Sequence, residues 1–154
     1  MRFKLFLATL LALAGVAGML AFAAEQPGKA KQLKFQLQLL WGTNDKQSPD
    51  PNHKPVDAEV AKKLKQLPLK WTNYFVVNKK TLEMTGGSEK KEPLSEKCAV
   101  EVKDLGKSLF QITLFGKGSE VVKRTQSLPV GEILVLGGNA PGSTSWLVVI
   151  KRVE

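Results

Sequence analysis

The residues with the greatest chemical capability crowd into one stretch, LLWGTNDKQSPDPNHKPVDAEV, residues 39–60. It holds His53, the sole histidine, together with Ser48, Asp45, Asp50 and Trp41. A nucleophilic hydroxyl or thiol needs a base held against it, and the base needs an orienting partner. His53 is one available base, but nothing at the level of sequence pairs it with Ser48 or with Cys98, the sole cysteine. Blue-copper ligation takes two histidines, a cysteine and usually a methionine; His53, Cys98 and Met84 fall one histidine short and stand in the wrong order. Zinc fares no better, since two His/Cys ligands cannot close a tetrahedron. The sequence therefore implies no catalytic residue, no metal centre and no cofactor.

Oxygen-rich loops offer calcium another chemistry. Asp45 and Asp50, with Asn44 and Asn52, are the calcium candidates here, yet the loop lacks both the D-x-D-x-D-G run and a closing glutamate. Asp and Asn also favour turns because their side chains bond nearby main-chain amides, so a folded connector is the preferred expectation. Paired carboxylates across a cleft would serve glycoside hydrolysis. Most of the 14 acids, such as Glu101 and Asp104, flank lysines and read as solvent-facing. The run LGGNAPGST invites a phosphate-loop reading, which requires a Lys-Ser/Thr pair entering a helix. Here SWLVVIKRV follows, a strand, so a hairpin loop is expected.

Binding candidates survive this sifting better. Trp41 is in phase with Leu37 and Leu39, and Trp146 with Val148 and Ile150, so both should look inward. Around KWTNYFVV the phase is open: if Trp71 and Phe75 point in, Tyr74 points out, and a one-residue slip exchanges the roles. One of Trp71 or Tyr74 should thus lie near the surface, beside the cations Lys62, Lys63, Lys65 and Lys70, with Lys79 and Lys80 beyond. These six residues, Trp71, Tyr74, Lys62, Lys63, Lys65 and Lys70, form the candidate binding patch.

Charge sets the class of partner. The chain has 23 basic against 14 acidic residues, a formal net charge of +9. That balance favours an anionic polysaccharide, an envelope surface or an acidic protein. Nucleic acid is not expected, because 20 of the basic residues are lysine whereas base reading draws on arginine forks. Cys98 sits in KCAVEV, where Cys98, Val100 and Val102 share a face, so a buried apolar thiol is expected. One cysteine makes no intrachain disulfide.

The elements that must position these groups begin after an export signal. Arg2 and Lys4 precede an uncharged run over residues 5–24 that ends in Ala21-Phe22-Ala23. This reads as a cleavable signal peptide over 1–24, the alternative being an uncleaved anchor, since about 20 apolar residues can cross a bilayer. Cleavage would lower the formal charge to +7 and leave about 130 residues, one domain. The expectation is a periplasmic or secreted protein with no transmembrane segment, a flexible tether over 25–32 and a single domain over 33–154.

Within that domain LKFQLQLLW alternates strictly, a half-buried strand. Asp57 can cap a helix whose Val60, Leu64 and Leu67 share a face, and Pro68 ends it. Strands follow in WTNYFVVN, KCAVEVK, SLFQITLF, EVVKRTQSL, EILVL and SWLVVIKRV, parted by Gly-rich turns. The pattern predicts an all-β fold, an antiparallel β-sandwich or small barrel of about seven strands with one short helix after the first. Loops 42–55 and 85–95 are long enough to carry function.

The combination of LLWGTND, KWTNYFVV and GEILVLGGNA is similar to a set of small exported β-rich proteins of unassigned function from environmental Gram-negative bacteria. That resemblance implies one domain over most of the mature chain and brings no activity or ligand. The functional expectation is a non-catalytic binding or structural accessory domain that recognises an anionic envelope component or a partner protein. Two alternatives stand beside it: a small cofactor-independent hydrolase using paired carboxylates, and a protein inhibitor or assembly factor presenting loop 42–55.

Overall fold

The computed structural model describes residues 28–139 and 144–154. The expected signal peptide, the first part of the tether and residues 140–143 of the last hairpin lie outside the described residues.

Strand β1 (Gln32–Thr43) carries Leu33, Phe35, Leu37 and Leu39 on one side, as its alternation requires. It is followed by the two-residue strand β2 (Lys54–Pro55), helix α1 (Ala58–Lys65) and the long strand β3 (Asn73–Thr85). Then come β4 (Glu89–Pro93), β5 (Cys98–Asp104), β6 (Leu109–Gly116), β7 (Ser119–Ser127), β8 (Ile133–Asn139) and β9 (Ser145–Arg152). All pairings are antiparallel. They form a five-stranded sheet ordered β2-β3-β1-β9-β8 and a four-stranded sheet ordered β4-β5-β6-β7.

The protein is thus mostly β with one short helix, in line with the sequence pattern, but two details differ. The described residues hold nine strands rather than about seven, and the helix follows β2 rather than β1. The added strands are the ones that hydrophobic periodicity misses. Strand β4 reads EKKEP and is largely exposed; it earns no apolar signal because it is an edge, where charge and proline deter further pairing. The supposed loop over 85–95 shrinks accordingly to a turn at Gly86-Gly87, with Gly87 at φ +76°, a conformation that favours glycine.

The inward faces of both sheets share one core. Phe35, Leu37, Leu82 and Val148 from the first sheet meet Val100, Val102, Phe110 and Ile112 from the second. Phe35 and Phe110 meet edge to face across it, with ring centroids 5.3 Å apart. Trp41 and Trp146 stand directly opposite each other on β1 and β9, both half-buried. Arg152 is 2% exposed and closes the other end. Its Nη1 donates to Leu128 O at 3.1 Å and to Ser108 Oγ at 2.9 Å, and its Nε donates to Glu154 O at 3.0 Å. A buried guanidinium satisfied by oxygens in this way ties β9 to the segments flanking β6 and β7.

Helix α1 adds a further layer outside the five-stranded sheet. Asp57 is its N-cap, its Oδ1 accepting from Val60 N at 2.8 Å. Val60 and Leu64 pack on Leu40, Ile133, Leu147 and Val149, a second core cluster on the sheet's outer face. Leu67 falls just past the helix end, its amide bonded to Leu64 O at 3.2 Å. Among the described residues, no helix is long and apolar enough to cross a membrane.

Candidate functional site

The chain between α1 and β3 runs over the outer face of the five-stranded sheet, and a small residue beneath it makes room. Gly42 of β1 is the register partner of Tyr74 on β3. A Cβ at Gly42 would lie 3.2 Å from Tyr74 Cε1 and 3.4 Å from Trp71 Cγ, so glycine here gives both rings their seat. Tyr74 Oη donates to Trp71 O at 3.0 Å, which fastens the approach segment to the strand. Burial pushes the Tyr74 hydroxyl up from its ordinary pKa, keeping it a neutral donor.

Trp71 and Tyr74 then line a groove of about 490 Å3 with Val56, Leu64, Leu69 and Lys65. The sequence posed them as alternatives, one inward and one outward. The ladder of β3 begins only at Asn73, so Trp71 is not bound by strand alternation, and both rings stand half-buried beside the same groove. Phe75, 9% exposed, is the residue that faces inward.

The rim of this groove is held by loop 42–55. Thr72 N donates to Asn44 Oδ1 at 3.0 Å, and Asn73 Nδ2 donates to Asp45 O at 2.9 Å. The two segments are far apart in sequence, so the loop acts as a brace for the groove wall.

The cations divide. Lys65 lines the groove, while Lys62 and Lys63 line a shallower depression of about 180 Å3 with Glu59, Glu132 and Ile133. Lys70 is exposed on the segment leading to Trp71. None of these four lysines lies within 4 Å of a described carboxylate, whereas Lys80 is held at 3.2 Å by Glu92 and Lys151 at 2.6 Å by Glu59.

His53 has a partner that sequence reasoning missed. Ser48 Oγ lies 2.7 Å from His53 Nδ1, and Asp50 Oδ2 lies 3.7 Å from Nε2. The arrangement suits a folded turn better than a relay. The carboxylate is beyond hydrogen-bond reach of the ring, and its other oxygen accepts from Asn52 N at 2.8 Å. The five-residue spacing of Ser48 and His53 around an Asp-Pro-Asn turn was the available signal. Asp45 is exposed, with its carbonyl committed to Asn73, and the described residues bring no group of three His, Cys, Asp or Glu side chains together.

Several other carboxylates turn toward lysines or amides. Glu83 meets Lys34 at 3.3 Å and Glu120 meets Lys123 at 3.3 Å, while Asp104 accepts from Gly87 N at 2.8 Å and from Gly106 N at 2.9 Å. Cys98 is buried on the core face of β5, and burial pushes its thiol up to about 11. No protein-family model, curated protein or solved structure matches this chain.

Proposed function

We propose that this chain is an exported, non-catalytic binding domain, a two-layer β-sandwich with a helical cover, which takes an anionic envelope component or partner protein. The observation that carries this reading is the groove in which Trp71 and Tyr74 stand together with Lys65 at its edge. Its lining contains no Asp, Glu, His, Cys or Ser; Lys65 brings positive charge, the rings bring contact area, and the Tyr74 hydroxyl is committed to Trp71 O. Lys62, Lys63 and Lys70, with no described carboxylate within 4 Å, draw an anion in from a Debye length, about 8–10 Å at moderate salt. The rings then supply contact area close to the surface.

Retention of envelope extract on the immobilised domain at low and high salt tests this. The expected result is salt-sensitive capture that falls by about tenfold or more in Trp71→Ala and more mildly in Lys65→Glu. Capture that persists unchanged in high salt and in Lys65→Glu overturns the electrostatic part. A second reading, a partner protein gripping loop 42–55, draws support from the bonds that fix Asn44 and Asp45 to the groove rim. Replacing residues 46–52 by a short turn, with the fold intact, should abolish capture under that reading and spare most of it under the first.

A further inference from the structure

The five-stranded sheet ends at β8, and that edge is built unlike the others. Gly131, at φ +91°, opens a bulge: its amide donates to Arg152 O at 2.8 Å, and Arg152 N donates to Glu132 O at 3.2 Å. This bulge sets the phase of the β8–β9 ladder, whose register pairs Ile133 with Lys151 and Leu134 with Ile150. Antiparallel ladders alternate bonded and non-bonded pairs, so Leu134 and Leu136 turn their amides to β9. Ile133, Val135 and Gly137 turn theirs away. No described residue takes those outward N–H and C=O groups.

Other edges are guarded. Strand β7 carries Glu120, Lys123 and Arg124, β4 carries four charges and Pro93, and β2 is two residues long and ends in Pro55. Strand β8 reads ILVLGGN, with no charge and no proline. An uncharged edge of this length with no described partner is a template for another strand. Beside it lies the depression lined by Lys62, Lys63 and Ile133 together with Glu59 and Glu132. Glu59 is held by Lys151 at 2.6 Å, so a strand added there would bring its outward side chains to two cations with no described carboxylate within 4 Å, against the one acid Glu132.

The geometry points to β8 as an acceptor for an extended segment of a partner protein, bound by strand addition and carrying acidic residues at alternate positions. The main chain of that segment completes the outward bonds of Ile133, Val135 and Gly137, and its carboxylates face Lys62 and Lys63. A second copy of this chain fits worse. Antiparallel pairing of β8 with β8 sets Ile133, beside Lys62 and Lys63, toward the uncharged GGN end of the other strand, which brings those lysines no acid. The inference is independent of ligand binding in the Trp71 groove.

A capped heptapeptide of alternating Val and Glu tests the assignment by calorimetry, alongside the same peptide N-methylated at alternate amides and a Val/Lys version. The expected result is binding by the Glu peptide, at least about tenfold weaker for either control and for the K62E/K63E double variant. Val135→Pro removes an outward amide, leaves the β9-facing bonds in place, and should abolish binding while light scattering reports one chain throughout. Absent binding, equal binding of the N-methylated or Lys peptide, or a dimer that Val135→Pro dissociates would overturn it. Should Val135→Pro fail to fold, the N-methylated peptide still decides the outcome.

Discussion

The outer faces of the two sheets obey different rules. In the four-stranded sheet the apolar core lies on the inner face: Cys98, Val100 and Val102 of β5 point into it while Ala99, Glu101 and Lys103 alternate with them on the other side. That outer face is charged, as in the pair Lys103–Glu89 at 3.7 Å. In the five-stranded sheet, Leu147, Val148, Val149 and Ile150 are buried in unbroken succession, since one face meets the core and the other meets α1. A short helix with its trailing segment cannot cover a sheet evenly, and its margins leave grooves. The wet face offers a plane of screened charges; the covered face offers concavity, aromatic rings and cations with no described carboxylate partner. Under the proposed reading, binding falls where the second layer is laid down incompletely.

The sharpest way to break this contrast is to loosen the helix. Leu64 is 2% exposed beneath it, and Leu64→Ala should cost about 2–5 kcal/mol in urea unfolding. A cost near that of a surface change would mean that α1 is an appendage rather than a layer. Gly42→Val comes next. Its side chain must displace Trp71 or Tyr74, costing about 1–3 kcal/mol, and tryptophan emission should shift to longer wavelength as Trp71 leaves its seat. Unaltered emission would remove Gly42 from the account of the groove.

A smaller effect concerns the shared core and pH. The Cys98 thiol is pushed from its ordinary 9.0 to about 11 by burial, so the folded state holds its proton more tightly than the unfolded one. Its contribution to stability is complete below pH 9 and is lost as pH rises through about 11. Tyr74, also raised, acts in the same direction. Denaturant titrations across this window should show a decline that is shallower in Cys98→Val; an identical decline would place the thiol in contact with water. The smallest effect belongs to the wet face. Lys103→Ala removes one half-exposed ion pair and should change stability by about 0–1 kcal/mol.

The same contrast explains what the sequence made legible. Alternation revealed β1, β5 and β6 because one side of each is wet or polar, and Asp57, the apolar stripe and Pro68 marked the helix. Strands β2 and β4 escaped because edge strands carry charge and proline in place of a hydrophobic period. Lys65 lines the groove with Trp71, whereas Lys62 and Lys63 line the depression beside Ile133 of β8, a separation that depends on helix rotation over a sheet. Trp71 and Tyr74 posed a phase question that had no answer within a strand, since Trp71 lies before the ladder begins. The Ser48–His53 contact and the brace from Asn44 and Asp45 to Thr72 and Asn73 depend on loop geometry that residue types alone leave open.

The central claim, that the helix-covered face is the binding face, has one most direct test. Amide chemical shifts of the 15N-labelled domain can be followed while an oligogalacturonate, as the anionic probe, is titrated at moderate salt. The account predicts saturable shifts concentrated at Lys65, Leu69, Trp71, Thr72 and Tyr74, with Glu101, Lys103 and Lys123 unmoved. Shifts spread evenly over every lysine-bearing surface, or confined to the outer face of the four-stranded sheet, would contradict it.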